Sequence, residues 1–285
     1  MDYLKSWPLY LLPHHAISRL VYKLTRIETP WFKNLLIRWF AERYRIDWSE
    51  ARYQHPEDYA SFNAFFTRPL RDGARPLDGN EATVISPADG HISQIGTIDG
   101  ERVLQAKGHR FSVRELLGGD GDRAAAFHDG SFITVYLSPR DYHRVHMPLR
   151  GRLTGTVYIP GRLFSVAPHT TRTIPRLFAR NERLVSLFET AAGPMAVVMV
   201  GAINVAAIET VWAGLVTPPA RPNIEVRDYR SADIELERGA EMGRFNMGST
   251  VILLFGHGRV HWNQDLQAEQ PLVMGDALAE VLPAP

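Results

Sequence analysis

The sequence predicts an α+β protein that is mainly β, with a helical N-terminal segment ahead of an antiparallel β-rich body. Three observations carry this reading. Apolar residues recur at helical spacing within residues 1–66. Residues 67–80 (TRPLRDGARPLDGN) have the Pro, Gly and charge content of a connection. From about Val84 onward, short β-branched and aromatic runs alternate with glycine turns.

In the first segment, Ile17, Leu20, Val21 and Leu24 follow the i, i+3, i+4, i+7 pattern, with Arg19, Lys23 and Arg26 around them. Thr29 is placed to cap a second helix with Pro30 at its first position. In that helix Phe32, Leu35, Leu36, Trp39 and Phe40 form one stripe, and Lys33, Arg38 and Arg43 lie off it. Residues 1–45 carry eight Lys/Arg against three Asp/Glu, a net of +5 on a chain whose formal net charge is +1. Basic amphipathic helices bearing Trp, Phe and Leu suit an anionic membrane surface. The competing reading packs both stripes on the protein's own core.

In the body, strands are expected at Thr83–Ile85, His91–Ile98, Phe132–Leu137, Gly155–Ile159, Ala196–Ala207 and Thr250–Phe255. Ser112 is placed to cap a short helix over Val113–Leu116, with Glu115 at the capping-box position. Residues 118–122 (GGDGD) form a flexible tip, and no internal repeat is visible.

Composition narrows the chemistry. Hydrophobic residues make up 45% and charged residues 22%, which allows a sizeable buried core. The chain has no cysteine, which excludes disulfides, thiolate metal sites and a cysteine nucleophile. The apolar stretch from Ala196 to Ile208 is interrupted by Asn204 and falls short of the roughly 18 residues a membrane span requires. The opening Met1-Asp2-Tyr3 lacks the pattern of a secretory signal.

Gly248-Ser249-Thr250 precedes the apolar run Val251–Phe255. Glycine puts no side chain in the way of attack on its own carbonyl. The Ser249 hydroxyl can reach that carbonyl if a nearby base removes its proton. An N-to-O acyl shift and elimination would then release the upstream chain and leave a pyruvoyl group. By itself Gly-Ser before a strand is usually an ordinary turn, as is Asp89-Gly90. His143 and His146, at i and i+3, fit a metal pair, a packed surface pair or a catalytic pair.

The combination narrows these readings. Ser61-Phe62-Asn63 with Phe65-Phe66, Arg68-Pro69-Leu70, SPADG at 86–90, YHRVHMP at 142–148, LFARNER at 177–183, IETVWAG at 208–214 and GAEMGRF at 239–245 occur in order. Together they resemble the bacterial phosphatidylserine decarboxylases over nearly the whole chain. The resemblance implies that Asp89, His146 and Ser249 act once, as a serine-protease-like triad, to cut Gly248–Ser249. It implies chains of 1–248 and 249–285, with Ser249 becoming a covalent pyruvoyl cofactor that decarboxylates phosphatidylserine through a Schiff base. His143 is the expected group for returning the proton or gripping the carboxylate. Arg180 and Arg183 are read as oxyanion ligands or solvated surface arginines, Glu209 as a buried structural carboxylate and Trp212 as core. The family usually has Leu where this chain has Met247, a swap of similar volume.

The resemblance further implies a body of two halves like the hammerhead barrels of biotinyl and lipoyl domains, with Pro271–Leu278 as one strand–turn–strand piece. It implies a helical membrane-association segment at 1–66, a catalytic domain at 67–285 and a homodimer of the cleaved unit. Attachment is expected through roughly residues 15–43, peripherally on the cytoplasmic face of the bacterial cell membrane. No metal and no nucleic-acid partner is expected. Three other readings remain: a hydrolase using the same triad, which lacks a Gly-x-Ser-x-Gly elbow; a zinc hydrolase using Asp89, His143 and His146; and a non-enzymatic scaffold or carrier, for which no lysine follows Lys107.

Overall fold

The computed structural model describes the chain apart from residues 1, 107, 204–206, 219–221, 247–248 and 284–285, and describes only the backbone at 4, 5 and 249. The N-terminal part holds α1 (Asp2–Ser6), α2 (His14–Leu24), α3 (Pro30–Tyr44) and α4 (Phe62–Phe66). Pro30 opens α3 as its sequence predicts, although the Thr29 side chain makes no capping bond. Arg45 closes it in the left-handed conformation at φ 53°. Ser61 caps α4 by accepting from the Ala64 amide at 3.2 Å.

The strands of the body are β1 (Thr83–Ile85), β2 (Gly90–Thr97), β3 (Arg102–Ala106), β4 (His109–Ser112), β5 (Ser131–Leu137), β6 (Arg144–His146), β7 (Gly151–Ile159), β8 (Arg183–Thr190) and β9 (Gly193–Val200). They continue with β10 (Ile208–Thr210), β11 (Gly214–Thr217), β12 (Glu225–Asp228), β13 (Glu235–Leu236), β14 (Glu241–Phe245), β15 (Ser249–Phe255), β16 (Val260–Trp262), β17 (Pro271–Leu272) and β18 (Ala277–Val281). Four short helices sit between them: α5 (Val113–Leu116), α6 (Gly121–Ala125), α7 (Pro168–Thr171) and α8 (Leu177–Arg180). Ser112 caps α5 as expected, but Glu115 turns away to Arg176 instead of closing a capping box.

The widest sheet runs β12-β7-β8-β9-β15-β5-β2-β17, with β13 also paired to β7. A second sheet runs β11-β10-β14-β6, a third β1-β18-β16, and β3 pairs with β4. All strand pairs within these sheets are antiparallel, and the sheets are open, so the two barrel-like halves that the resemblance implies do not close into barrels among the described residues. Burial explains the order. The central strands β9 and β15 are nearly continuous apolar runs with both faces covered. The edge strand β12 (Glu225-Val226-Arg227-Asp228) is largely exposed and charged, and β17 places Pro271 at the other edge, so neither edge invites a further strand. Pro271–Leu278 forms the strand–turn–strand piece the sequence suggests.

Two apolar cores result. The larger lies on the sheets. The smaller gathers Ile37, Phe40, Ile46, Tyr59, Phe65 and their neighbours under the N-terminal helices. In α3 the buried side chains are Lys33, Ile37, Phe40 and Ala41, while Trp31, Leu35 and Trp39 point outward with 71%, 63% and 56% exposure. The apolar face that the sequence offered as one stripe is thus split between core and solvent.

Candidate active site

The C-terminal end of β5 organises the site. Tyr136 pairs with His91 of β2 on one side and with Thr250 of β15 on the other, and Leu137 faces the Ser249 backbone. Gly90 is required where it sits, since a Cβ there would collide with the Tyr136 carbonyl. The chain leaves β5 through a turn in which the Asp141 carboxylate accepts from the Ser138 amide, and then enters β6, which His143 precedes and His146 ends. The His146 amide donates to Pro87 O at 2.8 Å, which joins the SPADG turn to β6. The structure therefore brings the Asp89, His143, His146 and Ser249 segments to one end of the widest sheet. Gly248 and Met247 lie outside the described residues.

His146 is buried, with both ring nitrogens engaged. Nδ1 is 2.7 Å from Gly239 O, and a carbonyl only accepts, so Nδ1 carries the hydrogen. Nε2 must then be the acceptor for the Tyr142 hydroxyl at 3.0 Å. Burial foremost lowers the His146 pKa, against opposing contributions from the Gly239 carbonyl and the Glu241 and Asp89 carboxylates. At neutral pH the imidazole is therefore uncharged, with a basic Nε2.

Asp89 makes no hydrogen bond to His146. Its carboxylate takes a fork from Arg75, Nε to Oδ1 at 3.0 Å and Nη2 to Oδ2 at 2.6 Å, and its Oδ1 accepts from the Met274 amide at 2.8 Å. Arg75 Nη2 also reaches Glu50 at 2.8 Å. The Gly239 carbonyl, not Asp89, fixes the His146 tautomer here. Arg75 lies in the stretch that reads as a linker, where no periodicity or motif marks it.

His143 is fully buried, 4.1 Å from the Phe66 ring between centroids. Its Nδ1 donates to Asp141 O at 2.7 Å, and its Nε2 has no partner. Burial foremost pushes its pKa down to about 3. Phe66 belongs to α4, and other residues of the 61–68 stretch reach the same region. Asn63 Nδ2 donates to Asn246 Oδ1 at 2.7 Å, three residues before Ser249. The Thr67 carbonyl accepts from Arg144 at 3.0 Å, and Arg144 pairs with Glu241 at 2.7 Å. Asn63 and Phe66 lie within sequence blocks that the resemblance rests on, but nothing in their spacing shows that they face the histidines.

The arginines of LFARNER part ways. Arg183 is buried and donates to the carbonyls of Glu115, Leu116, Ala179 and Asn181 at 2.6–2.9 Å, which leaves it a structural clasp. Burial pushes its pKa down to about 9. Arg180 is half-buried. Trp212 packs edge-on to Phe188 at the margin of the core, and Glu209 is half-buried. Among the described residues no three His, Asp or Glu side chains are grouped to hold a metal ion.

A family model described as phosphatidylserine decarboxylase matches residues 62–280, and one described as PSD matches residues 4–45. The phosphatidylserine decarboxylase proenzyme of Stutzerimonas stutzeri (strain A1501) is 56% identical over 273 residues, covering 95% of this chain and 92% of that protein. The proenzyme of the same name from Pseudomonas fluorescens (strain Pf0-1) is 57% identical over 276 residues, 95% of this chain and 96% of that protein. That of Pseudomonas aeruginosa (strain LESB58) is 57% identical over 275 residues, 95% and 94%. A family match that spans α4, both histidines and the start of β15, with relatives this similar along nearly their full length, places this chain in the phosphatidylserine decarboxylase family.

Proposed function

We infer that the chain is a self-processing precursor that cuts itself between Gly248 and Ser249 and then decarboxylates phosphatidylserine to phosphatidylethanolamine. The observation that carries this reading is His146, a buried neutral base with its tautomer fixed, at the sheet end where β15 begins. In the cut, Ser249 Oγ attacks the Gly248 carbonyl carbon and its proton passes to Nε2, the position the Tyr142 hydroxyl holds here. The proton then goes to the Ser249 nitrogen as the C–N bond breaks, leaving an ester. Loss of the Ser249 Cα proton expels residues 1–248 as a carboxylate. The remaining enamine tautomerises and exchanges ammonia for water, giving a ketone on residue 249. Asp89 supports the imidazole through its charge.

The site suits a pyruvoyl group, since the neutral, unpartnered His143 Nε2 and the neutral His146 are proton-transfer groups that do not themselves condense with a ketone. When present, that group supplies a ketone to condense with the substrate amine and an electron sink for the pair released with carbon dioxide. His143 is the residue we assign to returning the proton to the substrate α-carbon. Burial disfavours its cation, so a proton that Nε2 takes up from water is passed on at once and not retained.

The substrate sits in a bilayer, and residues 1–66 supply the means to reach it. Leu20, Leu24, Trp31, Leu35 and Trp39 are exposed on basic helices, and no described helix is long and apolar enough to cross a membrane. Peripheral attachment on the cytoplasmic face through roughly residues 15–43, and a dimer of the cleaved unit, complete the proposal. The denatured intact mass tests the chemistry. Two species matching 1–248 and a pyruvoyl-blocked 249–285, with Ser249→Ala uncut, are expected. One 32.2 kDa species from active protein would overturn the mechanism.

A further inference from the structure

At the same sheet end, a second cluster joins the loop after β7 to the N-terminal segment. Arg162 Nη2 donates to Tyr10 O at 2.9 Å, and its Cζ is 5.5 Å from the Phe164 ring centroid. The Arg180 Cζ, at the end of α8, is 4.9 Å from the same centroid and 5.5 Å from that of Tyr10. The Tyr10 and Phe164 rings are 5.2 Å apart. Two guanidiniums thus share the Phe164 ring, and among the described residues no acidic side chain is bonded to either. Such a pairing of like charges becomes favourable when an anion lies between or beside them.

A buried side chain in the cluster points the same way. His14 is only 2% exposed, sits edge-on to Phe164 at 5.2 Å, and has no hydrogen-bond partner on either ring nitrogen. Its pKa is lowered by burial first and by Arg162 second, with the Leu9 backbone opposing, so the ring packed beside the arginines is neutral. His15 Nε2 is committed to Gly161 O at 2.9 Å. Glu182, near His15, is turned inward to the Tyr158 hydroxyl at 2.6 Å, and burial raises its pKa. It does not neutralise the arginines. Trp7 and Leu11 flank Tyr10 with 66% and 73% exposure, an apolar edge beside the cations.

The cluster is tied to the candidate active site through the backbone. The Arg162 amide donates to Arg180 O, the Glu182 amide to Arg162 O and the Gly201 amide to Glu182 O. Arg183, Val200 and Thr250 form one row across β8, β9 and β15. Three strand spacings, about 14 Å, therefore separate Arg162 from Ser249.

We propose that Arg162 and Arg180, held in place by Tyr10, His14 and Phe164, bind the phosphate of a bilayer phospholipid and so set the height of the active sheet end above the membrane. This rests on the peripheral attachment inferred above. The forks take the phosphate oxygens, and Trp7 and Leu11 enter the acyl boundary.

The test uses the full chain and co-sedimentation with phosphatidylcholine vesicles, with and without phosphatidylglycerol, at fixed ionic strength. Arg162→Gln with Arg180→Gln keeps the stems and removes the charges, and about thirtyfold weaker vesicle binding is expected. Arg152→Gln with Arg230→Gln removes the same charge from the opposite end of the sheet and should change binding by less than about threefold. Arg162→Lys with Arg180→Lys, which keeps charge without the fork, should fall between. Equal losses in the two Gln pairs would overturn the site in favour of bulk charge. Inorganic phosphate that perturbs Trp7 fluorescence through both arginines, with vesicle affinity unchanged, would overturn the lipid assignment in favour of a free-phosphate site. Wild-type protein that ignores every vesicle would sink the attachment reading as well. Loss of binding in Trp31→Ser/Leu35→Ser/Trp39→Ser, but not in the arginine pair, would sink the phosphate site alone.

Discussion

His143 packs against Phe66 with no solvent exposure, whereas in the unfolded chain its ring titrates near the ordinary histidine value of about 6.5. Below that pH the unfolded chain binds a proton that the folded one refuses until about pH 3. Stability therefore falls as pH drops through that window, with a slope of up to about 1.4 kcal/mol per pH unit from this residue. His146, also lowered, adds to the fall. Urea unfolding followed against pH should show this slope, and His143→Gln should flatten it. The same lowering puts the acid midpoint of His146 below 6.5, so the acid limb of self-cleavage should be centred below pH 6.5. A decline centred above 6.5 would contradict the buried neutral base. Arg75→Ala should cost about 3 kcal/mol, because it strips a buried carboxylate of its partner, and the denaturation midpoint reads it. The histidines and Asp89 were legible because they sit in dense motifs. The Arg75 clamp was not, because an ion pair closed across a turn leaves no periodic trace.

At the scale of elements, α4 connects the helical segment to the site. Asn63 is held by its own amide on Thr25 O and by its side chain on Asn246, so α2, α4 and the end of β14 meet at one residue. Asn63→Ala should cost only about 1 kcal/mol of stability, yet slow self-cleavage by about tenfold, because Asn246 stands two residues before Gly248. A time course of chain separation on denaturing gels checks this. Cleavage at the wild-type rate would leave α4 a purely structural role. The sequence placed β5 and β15 well because they are apolar enough to be read without periodicity, but it ran β9 on past its end at Val200 and gave no strand at β8. It misjudged the face of α3, since Ile37 and Phe40 alternate with Leu35 and Trp39 around the helix, and spacing alone does not say which side meets the core.

Across the whole molecule, the small aromatic core packs α3 against α4, and Phe66 at its edge meets His143 of the β-rich body, while a separate apolar face stays uncovered. Trp31→Ser with Leu35→Ser and Trp39→Ser should reduce decarboxylation on vesicles far more than it reduces self-cleavage. Comparing vesicle turnover with the fraction of chain cut reads both. Equal losses would show that the face serves folding instead. The mainly antiparallel architecture followed from alternating runs and turns. The pairing of distant strands did not, because register between segments more than a hundred residues apart is set by packing that no local window contains.

The central place of β15 has a consequence for what a cut before Ser249 does to the molecule. Its neighbours are β9 and β5, while β17 lies on β2 and β18 on β1. The last 37 residues are thus woven into two sheets by four upstream strands. Scission would alter the covalent graph and leave the particle whole. A native gel would show one band where a denaturing gel shows two, and an affinity handle on either piece would retrieve both. On the proposed cut, each molecule would keep its own tail through maturation.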